Sequence, residues 1–390
     1  MSLRELPPGQ SNLSRWRHVR YVPLVILVIL SLIAGVGGFI VGRVNAGPAP
    51  IASPDPDVSD YLLPDECHPA TEVTDARPWS GGEAAASAAV WNAHEAEVGA
   101  PVIEGQDGWV FWSDIQSENM SQAVGRRLLS NTELGRWTKY LTETQEALAA
   151  EGIEFYLVVA PAKWEIYTDE LPTWMQDVRG PGPLDQLLGV GADLPIIDVR
   201  QPLREASAEY QTYSRLNSHW SDYGSMVGWN AIAACLNAND SSVGTLSAFE
   251  PSSVENTVFN EFESYGFASE SPDWTVPRFD TPLLEVERTL VDEEPEVVPG
   301  DSMLDSSKTP ATTSTPGAQS DSSVLMIGDS FTTLMSVWVQ QSFENATFVR
   351  HNFDAADTST QPDVVALAKE SGSNIVILEV TQRFLTHPPA

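Results

Sequence analysis

Two short peptides carry side chains that could do chemistry together: Ser330 in Ile327-Gly328-Asp329-Ser330-Phe331, and His219 in Leu216-Asn217-Ser218-His219-Trp220. A serine hydroxyl is a weak nucleophile at neutral pH and becomes effective when a neighbouring base takes its proton. The two peptides therefore read as halves of one serine-nucleophile site. In that reading Ser330 attacks and His219 is the base.

The elements around them suit those roles. Residues 324–327 are a short apolar run ending in Gly328-Asp329-Ser330, with helix-compatible residues following, so the expected unit is strand, tight turn, helix. Such a turn presents the serine at the carboxyl end of a strand, where ligands bind in open α/β sheets, and helix-start N–H groups can stabilise an oxyanion. Gly328 is expected to supply the tight turn, and Gly328 and Asp329 to shape the oxyanion site. The plainer alternative is a strand-to-helix turn capped by Asp329 or Ser330. After His219, residues 222–236 carry apolar side chains at helical spacing, so the histidine sits just before a helix. Residues 132–150 read as a helix; 153–160, 194–199, 324–327 and 374–380 read as buried strands, and 347–353 as a fifth. Strands alternating with helices argue for a mostly parallel sheet covered on both faces.

Further blocks join the two peptides: Ile103-Glu104-Gly105-Gln106-Asp107-Gly108-Trp109-Val110-Phe111, Val159-Ala160-Pro161-Ala162-Lys163, and Ile375-Val376-Ile377-Leu378-Glu379-Val380-Thr381-Gln382-Arg383. In order and spacing the set resembles the SGNH-hydrolase-like alginate O-acetyltransferases of the bacterial cell envelope. The resemblance implies a three-layer α/β sandwich with circularly permuted motif order, histidine before serine. It also implies acetyl transfer to a polysaccharide, with the acetyl group delivered by a multipass membrane O-acyltransferase, and no cofactor. Where that family reads Asp-x-His-Trp, this chain has Asn217, an amide. In a serine-protease triad the same exchange lowers turnover about 10⁴-fold, although papain-like sites use Asn to orient their histidine. Asp222 and Asp329 are candidate substitutes for the missing acid. The rival readings are a carbohydrate esterase, and a catalytically impaired glycan-binding or assembly protein. Lys163 and Arg383 are the basic side chains expected near the active edge, as substrate ligands or as ion-pair partners, Arg383 with Glu379. Trp220 is the aromatic expected at the site; the other tryptophans read as core.

The rest of the chain bounds where this happens. Residues 22–41 are uncharged and mostly apolar, long enough at about 1.5 Å per residue to cross a ~30 Å hydrocarbon layer. Arg15, Arg17 and Arg20 precede that run, so the expected topology is a cytoplasmic tail over residues 1–21, a membrane anchor over 22–41, and an extracytoplasmic remainder. A cleaved signal peptide is the competing reading. Residues 42–66, rich in Pro and Asp, read as a tether, and 67–390 as the enzyme domain. Residues 292–323, rich in Glu, Asp, Ser, Thr and Pro, read as a disordered insertion. Cys67 and Cys235 could close a disulfide in an oxidising compartment, or Cys235 could be a small buried hydrophobe. No spacing suggests a metal site. A net charge of -33 argues against duplex nucleic acid as a ligand.

Overall fold

The computed structural model describes residues 63–69, 73–190, 194–268, 272–353 and 361–389. The chain divides into two units, Met1–Pro48 with Ser130–Thr132, and Ala49–Leu129 with Glu133–Ala390. The first lies outside the described residues apart from Ser130–Thr132, and the second holds the sheet and the candidate site. The predicted anchor over 22–41 also lies outside the described residues. Among those that are described, no helix is long and apolar enough to cross a membrane.

The strands, in chain order, are β1 (Val102–Glu104), β2 (Val110–Trp112), β3 (Glu154–Ala160), β4 (Ile196–Ile197), β5 (Ser253–Thr257) and β6 (Trp274–Arg278). They continue with β7 (Val286–Thr289), β8 (Glu296–Val298), β9 (Ala311–Ser314), β10 (Ser320–Gly328), β11 (Phe343–Arg350) and β12 (Ile375–Thr381). Eight of them form one sheet in the order β4-β3-β12-β10-β11-β9-β7-β8. From β4 to β11 the neighbours are parallel; from β11 to β8 they are antiparallel. Four helices matter below: α1 (Asn131–Ala149), α2 (Asp222–Ala238), α3 (Ser330–Ser342) and α4 (Val364–Ser371).

Side chains alternate across a strand, so a sheet covered on both faces must be apolar at every position. The central strands satisfy this. Val324, Met326, Ile375, Ile377, Tyr156 and Val158 join one buried cluster with Trp229 of α2 and Phe331 and Met335 of α3. Leu325, Ile327, Val376, Leu378, Leu157 and Val159 join the other, with Trp137 and Leu141 of α1 and Ala368 of α4. The result is a three-layer α/β sandwich in which each buried Leu, Ile or Val contributes about 1.5–3 kcal/mol relative to exposure. The chain leaves β10 through α3 to reach β11 on one side, and returns through α4 to β12 on the other. β10 is thus the point where strand order reverses, and the crevice beyond its carboxyl end is where such sheets bind ligands.

Two sequence expectations need correction. Residues 292–323 are ordered: they carry β8, β9 and the start of β10, and β9 pairs with both β7 and β11. Their Ser and Thr content reads as disorder, yet Thr is a good strand former, and burial here falls on Val298 and Leu304 together with small residues such as Ala311 and Thr313. Residues 63–67, expected to belong to the tether or its end, instead join the domain. Leu63 is buried, and Cys67 is bonded to Cys235 of α2, so residues 63–67 pack onto the domain.

Candidate active site

The serine half is built from the sheet. Ser330 is the first residue of α3, directly after β10 ends at Gly328. Asp329 is the helix cap: Oδ1 accepts from the Phe331 N–H at 3.0 Å, and Oδ2 accepts from the Thr381 N–H of β12 at 3.0 Å. Glu379, also on β12, accepts through Oε2 from the Asp329 N–H at 3.0 Å and from the Thr332 hydroxyl at 2.9 Å. Buried His351 accepts at Nδ1 from the Phe353 N–H, which leaves the proton on Nε2, 3.4 Å from Asp329 Oδ2. Burial by itself would raise the pKa of Asp329. Contact with His351 and the N–H groups of Thr381 and Phe331 outweigh that, and hold the carboxyl well below the usual carboxylate range. Glu379 goes the other way: burial first, and the Asp329 charge second, raise it well above that range, so it keeps its proton.

Gly328 ends β10 where the chain turns into α3. It lacks a positive φ; a Cβ there would lie 1.8 Å from Thr332 Oγ1 and 2.7 Å from Glu379 Oε2. Its requirement is space, so that β12 can approach the turn. Asp329 likewise faces inward, with its own N–H taken by Glu379. The oxyanion donor that the turn offers is the N–H of Ser330, which opens the helix and has no acceptor one turn back.

The histidine half is a loop held by other segments. Its neck closes where Tyr213 bridges Trp220 and the Ser221 N–H donates to the Thr212 carbonyl at 2.8 Å; Ser221 then caps α2 by accepting from the Gly224 N–H. Lys163 reaches beneath the loop, its Nζ within hydrogen-bond reach of the carbonyls of Arg215 at 2.8 Å, Ser214 at 3.3 Å and Val110 at 2.5 Å. Asp273 accepts from the Arg215 N–H at 2.9 Å. Glu261 accepts from the Ser218 N–H at 2.7 Å, and its own N–H donates to the Leu216 carbonyl at 2.8 Å. Both carboxylates lie between β5 and β6, so that hairpin's connection embraces the loop.

The halves meet. His219 Nε2 lies 2.8 Å from Ser330 Oγ, and Nδ1 lies 3.0 Å from Asn217 Oδ1. Asn217 Nδ2 donates to the Phe259 carbonyl at 3.3 Å, and its Oδ1 also accepts from the His219 N–H at 3.0 Å, so the amide oxygen faces the ring. An acceptor at Nδ1 fixes the proton there and leaves Nε2 bare to receive the serine proton. Burial lowers the imidazole pKa; Glu261 raises it, Arg383 lowers it and Asp329 raises it, with a net lowering. The ring is therefore neutral at neutral pH, the form a general base needs.

The other expected residues divide. Trp220 is not a substrate surface: it is fully buried, donates to the Phe331 carbonyl at 3.1 Å and packs edge-on to the Phe331 ring under the site. Lys163 is not one either, because it is buried under the loop among Trp109, Phe111 and Phe262. Burial pulls its pKa to about 7, with Glu261 and Asp273 raising it in part. Asp222 accepts from the Trp274 indole N–H at 2.8 Å. Arg383 is half-buried, its guanidinium lies 4.8 Å over the Phe384 ring, and its charge reaches His219. Cys67 and Cys235 are disulfide-bonded. Among the described residues, no group of three or more His, Cys, Asp or Glu side chains is gathered as a metal site. Sequence reasoning missed Glu261, Asp273 and His351. Nothing local marks them; Glu379, a lone acid in an apolar strand, was visible.

The family model of the SGNH hydrolase-like domain, acetyltransferase AlgX, matches residues 102–355. Among solved structures, Bacillus cereus PatB1 is similar with a TM-score of 0.50 at 14% identity, over 73% of this chain and 96% of that one. The same protein with a sulfonyl adduct gives 0.53 at 15%, over the same shares. The O-acetyltransferase domain of Pseudomonas putida AlgJ gives 0.41 at 17%, over 74% and 93%. A comparison with curated proteins found no match. At these identities the two PatB1 likenesses speak for the fold alone.

Proposed function

The chain belongs to the family of the SGNH hydrolase-like domain, acetyltransferase AlgX, and from that premise we propose that it transfers acetyl groups to hydroxyls of a cell-envelope or secreted polysaccharide through an acetyl-Ser330 intermediate. The observation that carries this reading is the 2.8 Å contact between His219 Nε2 and Ser330 Oγ, made across 111 residues of sequence. His219 takes the hydroxyl proton while Ser330 Oγ attacks the acetyl carbonyl carbon of the donor, and the resulting oxyanion faces the Ser330 N–H. The donor's leaving group departs with the proton from His219. A sugar hydroxyl then gives its proton to His219 and attacks the acetyl carbon, and Ser330 Oγ leaves, recovering the proton.

The membrane-anchored, extracytoplasmic placement belongs to the same proposal. The apolar run at 22–41 behind three arginines supports it, as does the Cys67–Cys235 disulfide, a bond favoured outside the cytoplasm. A multipass membrane O-acyltransferase as acetyl donor completes the reading.

The test incubates the full-length protein in detergent with an activated acetyl ester, with and without polysaccharide. Intact-mass analysis should find one acetyl group on Ser330, and the glycan should become acetylated. Ser330→Ala should remove the adduct and lower transfer by about 10³-fold or more. Acetate release with unmodified glycan would make the protein an esterase, and turnover surviving in Ser330→Ala would end the acyl-enzyme reading.

A further inference from the structure

Asn217 does half of what a triad acid does. Its amide oxygen fixes the imidazole tautomer at 3.0 Å from Nδ1 but brings no charge, while proton transfer from Ser330 makes His219 an imidazolium. The Arg383 charge opposes that imidazolium. Of the acids the sequence offered in compensation, Asp222 is turned to the Trp274 indole, and Asp329 points into the core toward Phe331, Thr381 and His351.

A third acid is better placed. Glu261 Oε2 lies 3.9 Å from His219 Nδ1, on the side away from Ser330, and its side chain is about a quarter exposed. Its position is fixed rather than chosen from a mobile rotamer: Oε2 accepts from the Ser218 N–H at 2.7 Å, the Glu261 N–H donates to the Leu216 carbonyl at 2.8 Å, and the Phe259 carbonyl accepts from Asn217 Nδ2 at 3.3 Å. The strap over residues 259–261 is thus bonded to each of the three residues that precede His219. The charged groups whose fields reach the imidazole are Glu261 and Asp329, which favour its protonated form, and Arg383, which disfavours it; Glu261 is the strongest of the three.

We propose that Glu261 is a positioning residue that supplies, from the β5–β6 connection, the negative charge missing from the triad, so that orientation and charge compensation are divided between Asn217 and Glu261. The inference rests on the acyl-enzyme reading above. It explains how an amide can occupy the acid's place without disabling the serine, and it assigns function to a strap that lies 42 residues from Asn217 and outside every recognised block.

Glu261→Gln tests it, because the glutamine oxygen can still accept from the Ser218 N–H while the charge is gone. In the full-length protein, His219 should titrate at lower pH by ring-proton NMR. The acid limb of acylation by an activated ester should move to lower pH with it, and the plateau rate should fall about tenfold, the size of a partly screened charge at this distance. Asn217→Asp should rescue the variant, since charge then returns at Nδ1. Glu261→Asp, which keeps the charge on a shorter side chain, should shift the His219 titration less than Glu261→Gln and gives a second variant should the first fold poorly. An unmoved His219 titration in Glu261→Gln, or equal shifts in the two variants, would overturn the proposal and leave Glu261 a loop staple. Labelling of wild-type Ser330 by a sulfonyl fluoride is scored separately: its absence would sink the acyl-enzyme reading, whereas the titration still judges the charge.

Discussion

Ser330 stands on a turn whose supports, Asp329, Glu379, Thr381 and His351, are at most 1% exposed and belong to, or directly follow, the central parallel strands. His219 stands on a loop whose supports come from two separate segments, Lys163 below and Glu261 and Asp273 from a surface hairpin, and its own side chain is a fifth exposed. One half is positioned by the sheet core, where backbone pairing and dense packing leave few alternatives. The other is positioned by charged side chains answering backbone N–H and carbonyl groups, and so responds to charge as well as to packing. A site assembled this way can keep its nucleophile fixed while its base is tuned.

The largest effect should come from loosening the histidine half at its far anchor. Cys235 lies on α2, the helix that begins three residues after His219, and its disulfide to Cys67 closes a separation of 168 residues. Cys67→Ser should cost about 4 kcal/mol of unfolding free energy, read from denaturant melts. Next is Lys163→Met, which leaves three carbonyls short of their donor and should cost about 3 kcal/mol. Labelling of Ser330 should slow by more than the stability loss explains, since the base has moved; proportionate slowing would show that the loop holds without the ammonium. On the serine side, Glu379→Leu strands the Asp329 N–H and the Thr332 hydroxyl, an expected loss of about 2 kcal/mol. Glu379→Gln, which resembles the protonated acid, should lose less than about 1 kcal/mol. Equal losses in the two variants would mean that Glu379 is ionised and that the account of the serine turn is wrong.

The same contrast explains what could be read from the sequence. The five expected parallel strands and the helix over 132–150 were legible because each is a local pattern: an unbroken apolar run, or apolar residues at helical spacing. The serine turn was legible for the same reason, since the strand, Gly328, Asp329 and Ser330 are contiguous. The histidine was visible as one residue before a helix, but its supports were not. Glu261 and Asp273 are ordinary acids in a polar stretch until folding lays them against residues 215–218. Lys163 was misread because a lysine after a strand suggests an exposed edge, whereas three carbonyls and three aromatic rings enclose it. Residues 292–323 were misread because composition reports on core building, and an antiparallel extension held by backbone pairing and buried Ala and Thr needs little of it.

The pH dependence of stability separates the halves by sign. Glu379 has its pKa raised by burial and by Asp329, so the folded state holds a proton that the unfolded chain releases near pH 4.3. The stability contributed is full below that value and is lost as pH rises through the folded pKa. Lys163 is the reverse case: burial lowers it to about 7, so its contribution is full above the unfolded lysine value of roughly 10.4 and is lost as pH falls through about 7. Between pH 7 and pH 9.5 the wild type should gain stability relative to Lys163→Met at up to about 1.4 kcal/mol per pH unit, the slope of one proton. Over acidic to neutral pH it should lose stability relative to Glu379→Gln. Denaturant melts of the three proteins across both ranges give the slopes. A flat difference for Lys163→Met would mean that the three carbonyls hold the ammonium charged through neutrality, and that the histidine loop rests on a permanent cation.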